Sequence, residues 1–198
     1  MLTEKNVAES HFRTILNIPD KMKDNVKARA DQQRIFDRPR LNMKPPTGGR
    51  KNWFKPDADF VLKPPEKKEV LIWLKQILKF TDGYASNISK GVNPSTSKVT
   101  GLKSHDYHVW IEQIMPVMVR GYVPEHVWRV LAELSHFFRT LCAKEVSKEV
   151  IEKLHKKAPE LIVKLEKIFP PGFFTPMTHL ILHLANEVLL GGPVQNRW

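Results

Sequence analysis

A chain of 198 residues and 23.0 kDa can enclose a core, and 41% hydrophobic with 27% charged residues excludes wholesale disorder. Its net charge of +11 and pI near 9.8 attract polyanions, nucleic acid or an anionic membrane face, although a basic chain can also be merely soluble. Cys142, the single cysteine, excludes an intramolecular disulfide and a thiolate-rich zinc site within one chain, which fits a reducing compartment.

The opening MLTEKNVAES lacks the apolar core of a signal peptide, and no apolar run reaches the roughly 18 to 20 residues of a membrane span. Residues 6–18 read as a short helix with Asn6 as its cap and Pro19 as its stop, and 20–36 as partly helical. Residues 37–65 hold Pro39, Pro45, Pro46, Gly48, Gly49, Pro56, Pro64 and Pro65, so a linker or extended arm is expected, with Phe60-Val61-Leu62 as a short edge strand. Residues 1–65 also carry over half of the net positive charge.

Helical spacing sets in after Pro65. Val70, Leu71, Trp73, Leu74, Ile77 and Leu78 recur on one face up to Asp82-Gly83, and a polar loop over 84–100 follows. Ser104 is the expected cap of a helix running to about 119, bent at Pro116. Further helices start near Pro124 and Ser147, and Pro159 should kink or split the second. The last helix has Thr175 as cap, Pro176 in its first turn and Gly191-Gly192 as its stop. The expected fold is therefore mainly α: an irregular helical bundle in which 1–36 form an N-terminal helical segment, 37–65 a basic Pro/Gly-rich arm, and 66–198 a helical domain.

In the last helix His179, His183 and Glu187 are successive i, i+4 neighbours on one stripe of an otherwise apolar segment. Three readings stay open. Two histidines at this spacing match zinc ligands, but the Glu that metalloproteases place between them is absent, since residues 180–182 are Leu, Ile and Leu. Core histidines hydrogen-bonded to a neighbouring segment are the plain alternative. The third is an acid, Glu187, of a divalent-metal site completed elsewhere and supported by the two histidines. A second cluster, Ser104-His105-Asp106-Tyr107-His108, is explained largely by helix capping, with His105 and His108 facing one side. Arg50-Lys51-Asn52-Trp53-Phe54-Lys55 mixes cations and aromatics as phosphate-gripping, base-stacking segments do, or else forms a solvated arm with its rings tucked onto the core. Cys142 lies near an apolar helix face, where cysteines are usually inert.

The strings EKNVAES, TILNIPDKMKDNVKARAD, DGYASNIS, GLKSHDYHVWIEQIMPV, ELSHFFRTLC, LEKIFPPGFF and MTHLILHLANEVLLGGPVQNRW follow one another from Glu4 to Trp198. Together they resemble the plant domain of unknown function in the C-terminal part of En/Spm (CACTA)-type transposases. The resemblance implies a nuclear, DNA-mobilising origin, with cytoplasmic residence otherwise. It also implies an RNase H-like fold whose three acids bind two Mg²⁺ or Mn²⁺ ions in the full-length family. Glu187 resembles the third acid, and His179 with His183 the histidine pair before it. In the family a D-x-M-H stretch precedes E-K-N, and its Asp resembles the second acid. Here Leu2 stands at the position of that His, and Tyr107 replaces the usual Cys of the SHDCH string. With the other acids expected before residue 1, the isolated chain is expected to be catalytically silent and without a metal or other cofactor. It is expected to bind DNA non-specifically and salt-sensitively, to leave membranes alone, and to self-associate through exposed apolar helix faces if severed from a larger fold; a helical protein-interaction scaffold is the alternative, and a remnant metal-dependent strand-transfer enzyme a minor one.

Overall fold

The computed structural model describes residues 2–18, 22–36, 38–46, 52–77 and 88–193, with the side chain of Ile77 left aside. Among these the fold is mainly α. Its α-helices are α1 (Leu2–Ile15), α2 (Val26–Ile35), α3 (Pro64–Ile72), α4 (Ile88–Gly91), α5 (Ser104–Val109), α6 (Met115–Val119), α7 (Glu125–Leu141), α8 (Lys148–Ile168), α9 (Pro176–His179) and α10 (Ile181–Gly191). Within the expected polar loop, β1 (Val92–Asn93) and β2 (Lys98–Val99) pair antiparallel as a small hairpin after α4. Pro19, Leu78, Asp82 and Gly83 lie outside the described residues.

The core is one cluster. α8 packs on α7 and α10, and α1 lies against α5. Phe12 of α1 meets Trp110 edge-on at 5.1 Å between ring centres, both rings being fully buried. Over its described residues, 38–46 and 52–63, the arm has no helix and a single isolated bridge, Lys44 to Phe54, and these residues are not a free linker. Ala58, Phe60 and Leu62 are buried in the core; the Leu62 N–H donates to the Ile15 carbonyl (2.9 Å), and Phe60 lies 4.7 Å from Phe169. The apolar side chains that suggested an edge strand are instead laid into the core, with residues 59–61 in a turn.

Two sets of contacts made by charged side chains fasten the arm further. Arg38 donates to the carbonyls of Glu166 and Phe169, satisfying orphan acceptors at the C-terminal end of α8. Arg29 of α2, wholly buried, forms a two-armed pair with Asp24, donates to the Leu41 carbonyl (2.7 Å), and shares Asp24 with Lys55. Gly172 allows α2 to approach the 3₁₀ turn Pro171–Phe173, because a Cβ there would sit 2.9 Å from the Ala28 Cβ.

Helix ends follow the sequence in part: α1 starts at Leu2, so Asn6 lies inside it and does not cap it. Ser147 caps α8 by accepting from the Val150 N–H, and Gly192 adopts φ +78° after α10. Ser104 is not the cap of α5. Lys103 occupies that position, and the Asp106 carboxylate accepts its N–H (2.7 Å), so the acid does the work expected of the hydroxyl. The predicted bend at Pro116 takes the form of a π turn, Trp110–Ile114, between α5 and α6, in which Met115 N–H reaches the Trp110 carbonyl. Pro116 has no N–H for the Glu112 carbonyl four residues back; Ser135 Oγ of α7 donates to that carbonyl instead (2.9 Å). α8 runs unbroken through Pro159, which is exposed, as is His155, whose carbonyl loses its usual donor; water can reach that group.

Candidate functional site

The three residues of the last-helix stripe face solvent. His179 ends α9, a break at Leu180 starts α10, and His183 and Glu187 lie on its exposed side while Ile181, Leu184, Ala185 and Val188 are buried. The two imidazoles stay close, Nε2 to Nε2 at 3.4 Å. They are therefore surface histidines rather than core ones.

His105 and His108 do share one side of α5, with rings stacked 5.8 Å apart. His105 is exposed, Asp106 serves the cap described above, and His108 turns inward. Of the basic stretch, Arg50 and Lys51 lie outside the described residues. Lys55 is half-buried and donates to both the carboxylate and the carbonyl of Asp24, so its ammonium is engaged in holding the fold. Trp53 and Phe54 are not tucked away: they are 56% and 41% exposed, and Phe54 is tied to Lys44 by a pair of backbone hydrogen bonds of 2.9 Å.

Between the arm and helices α7 and α8 lies a groove of about 420 Å³ that the sequence did not signal. Arg38, Arg40, His126 and Lys167 line it, with Leu41 and Phe60 as apolar floor; Asp59 is the one acid among its described lining residues and pairs with Arg40 at 3.5 Å.

The tightest constellation of reactive groups is elsewhere. Glu4 of α1, His108 of α5, Glu112 of the π turn and Cys142 after α7 bring one donor atom each to within 4.8 Å of one another. Glu4 is 1% exposed; its Oε1 accepts from His108 Nδ1 at 2.8 Å, and its Oε2 faces the Cys142 Sγ at 3.7 Å. His108 Nε2 lies 3.5 Å from Glu112 Oε2, while Glu112 Oε1 is buried with no hydrogen-bond partner. The Glu4 hydrogen bond, working against burial, raises the affinity of His108 for its proton. Burial, reinforced by the nearby Glu4 charge, pushes the Glu112 carboxyl up to about 7 although His108 opposes it. Burial, with Glu4 and Glu112 adding, also pushes the Cys142 thiol up, which makes it a poor nucleophile.

Sequence reading noticed His108 and Cys142 separately and passed over Glu4 and Glu112. The local signal available was the i, i+4 spacing of His108 and Glu112. Nothing local links either to Glu4, over 100 residues away in the chain.

Taken as a class, this is a mainly α, strongly basic protein with a cationic groove and a buried mixed-donor cluster. Residues 141–198, from the end of α7 through α8, α9 and α10, match the model of a domain of unknown function (DUF4218). No curated protein matches the chain. No solved structure matches it either. No described helix is long and apolar enough to cross a membrane.

Proposed function

We propose that this chain is a transposase-derived helical module that binds DNA without sequence preference, and that the groove between the arm and helices α7 and α8 holds the sugar-phosphate backbone. One observation carries the reading: Arg40, His126 and Lys167 converge on a single cleft beside the internally engaged Arg38, against one acid, in a chain of net charge +11. Arg40 is the most accessible of these, its side chain being 85% exposed. The exposed Trp53 and Phe54 rings, next to Lys44, supply faces on which unpaired bases stack. Arg38, Arg29 and Lys55 are committed to internal acceptors, so the binding surface is narrower than the basic composition of residues 21–63 suggests.

The transposase origin rests on the sequence resemblance from Glu4 to Trp198, with which the DUF4218 match over 141–198 is compatible. A nuclear location goes with that origin. The proposal assigns no strand cleavage or joining to the chain: among the described residues no group of three or more metal-ligating side chains includes Glu187. Mg²⁺ or Mn²⁺ stays an expectation tied to the family likeness.

Fluorescence anisotropy with a labelled single strand and with a duplex, at 50 and 200 mM salt, tests the reading. Displacement of three or four counterions predicts a fall in affinity of about ten- to one-hundredfold across that range. Equal affinity at both salts would refute it. Trp53→Ala should weaken the single strand by about fivefold or more and the duplex less.

A further inference from the structure

We propose that Glu4, His108, Glu112 and Cys142 form a structural binding site for one Zn²⁺ ion, which pins the first helix to the end of α7. This site is separate from the solvent-facing Glu187 stripe and from the cationic groove, and it departs from the expectation that the isolated chain takes no metal.

The donor set is the first argument. One sulfur, one imidazole and two carboxylates suit a borderline divalent ion; Mg²⁺ and Ca²⁺ prefer all-oxygen cages. The spacing is the second. Tetrahedral zinc with bonds of about 2.0 to 2.3 Å holds its ligand atoms about 3.3 to 3.8 Å apart. Two edges already have that length, His108 Nε2 to Glu112 Oε2 at 3.5 Å and Cys142 Sγ to Glu4 Oε2 at 3.7 Å. The four donor atoms together lie within 4.8 Å, so small side-chain movements close the remainder.

The third argument is Glu112 itself. Its side chain is 9% exposed, and its Oε1 is buried without a hydrogen-bond partner, in a cluster whose other members are the natural ligands of a cation. A buried carboxylate oxygen left unsatisfied is costly, and a coordinated ion would remove that cost. Glu112 also sits in the π turn, a local irregularity that sets the direction of its side chain and one often found at functional positions. His108 presents Nε2 to Glu112 at 3.5 Å, and the hydrogen bond that its Nδ1 makes to Glu4 Oε1 (2.8 Å) would break as Glu4 turns to the ion.

Binding replaces the Cys142 S–H bond with a S–Zn bond and releases that proton to solvent, together with any proton that His108 or the Glu112 carboxyl carries, with no oxidant or reductant involved. Four protein donors leave no open position for substrate, which makes the site structural and not hydrolytic. Its ligands come from segments 104 and 138 residues apart in the sequence. The ion would therefore close long loops and tie Cys142, in the DUF4218-matching stretch, to α1.

Co²⁺, which takes the same tetrahedral geometry and is coloured, is the probe. The full chain, stripped with chelator, is titrated with Co²⁺ and then with Zn²⁺. The site predicts one Co²⁺ per chain, intense visible bands of tetrahedral coordination, a thiolate-to-cobalt charge-transfer band, and displacement of all of them by one equivalent of Zn²⁺. Cys142→Ser should abolish the charge-transfer band, and Glu112→Gln, which keeps the side-chain shape, should weaken Zn²⁺ by about tenfold or more. The double variant His179→Ala/His183→Ala removes the surface histidine pair and should change nothing. A wild-type chain without the charge-transfer band overturns the proposal, whatever the variants do. So does Zn²⁺ binding that survives Glu112→Gln in full but disappears with His179 and His183.

Discussion

Acid should destabilise this fold through His11, and the size of the effect follows from its surroundings. The ring is fully buried in α1, with Nδ1 at 2.8 Å from the Val7 carbonyl, Nε2 without a hydrogen-bond partner, and the rings of Phe169 and Phe173 roughly perpendicular to it at 5.3 and 4.5 Å between ring centres. Burial lowers its pKa from 6.5 to about 4, only partly offset by the Val7 carbonyl. Between those values the unfolded chain takes up a proton that the folded chain refuses, so stability falls as pH falls. The loss starts near 6.5 and is complete near 4. At about 1.4 kcal/mol per pKa unit the full loss is about 3 kcal/mol, of which about 2 kcal/mol is reached by pH 5. Glu112, pushed up to about 7, works in the opposite direction: it is protonated first in the folded state and adds stability as pH falls towards its unfolded value. The assay is therefore a difference. Urea unfolding of wild type and His11→Gln is compared at pH 7 and pH 5, each variant serving as its own reference. The wild type should lose about 2 kcal/mol more than His11→Gln over that interval. Parallel losses would mean that His11 titrates normally and that its burial has been misjudged.

Two further perturbations follow from the packing. Asp24→Asn leaves the buried Arg29 guanidinium, and the Lys55 ammonium beside it, without their counter-ion; about 3 to 5 kcal/mol of stability should be lost in urea unfolding, and a loss below about 1 kcal/mol would contradict the pairing. Pro159→Ala restores an N–H for the His155 carbonyl on an exposed face of α8, and should raise the thermal midpoint by several degrees, the gain being about 1 to 3 kcal/mol. An unchanged midpoint would show that the helix has already adapted to its proline.

The helices were legible where apolar periodicity and end signals agreed. α8 announces itself through Ser147 and the recurrence of Ile151, Leu154, Leu161 and Leu165, and it fills the predicted span. Of the two outcomes expected at Pro159, a split does not occur, because a proline whose lost hydrogen bond faces water need not break the helix. The prolines of the arm are plain in the sequence, yet Phe60 and Leu62 are too few to reveal that this stretch packs on the core. In α10 nearly every position is apolar, so the sequence alone leaves open which side is buried; packing on α8 decides it and turns His183 and Glu187 outward. The Glu4 cluster was illegible for a different reason. Its members come from α1, from α5 with the π turn that follows it, and from the end of α7; they meet only through the tertiary fold, and no single-sequence spacing encodes a contact between residues 4 and 142.

Charge reversal in the groove tests the account most directly. Arg40→Glu/Lys167→Glu changes two exposed groove cations, while Lys90→Glu/Lys98→Glu makes the same change in net charge in exposed residues on and beside the hairpin. If the groove holds the DNA backbone, the first pair should weaken binding by about tenfold or more and reduce the salt dependence by about two counterions, and the second should do neither. Equal losses from both pairs would show that DNA responds to the overall charge of the chain and not to the groove.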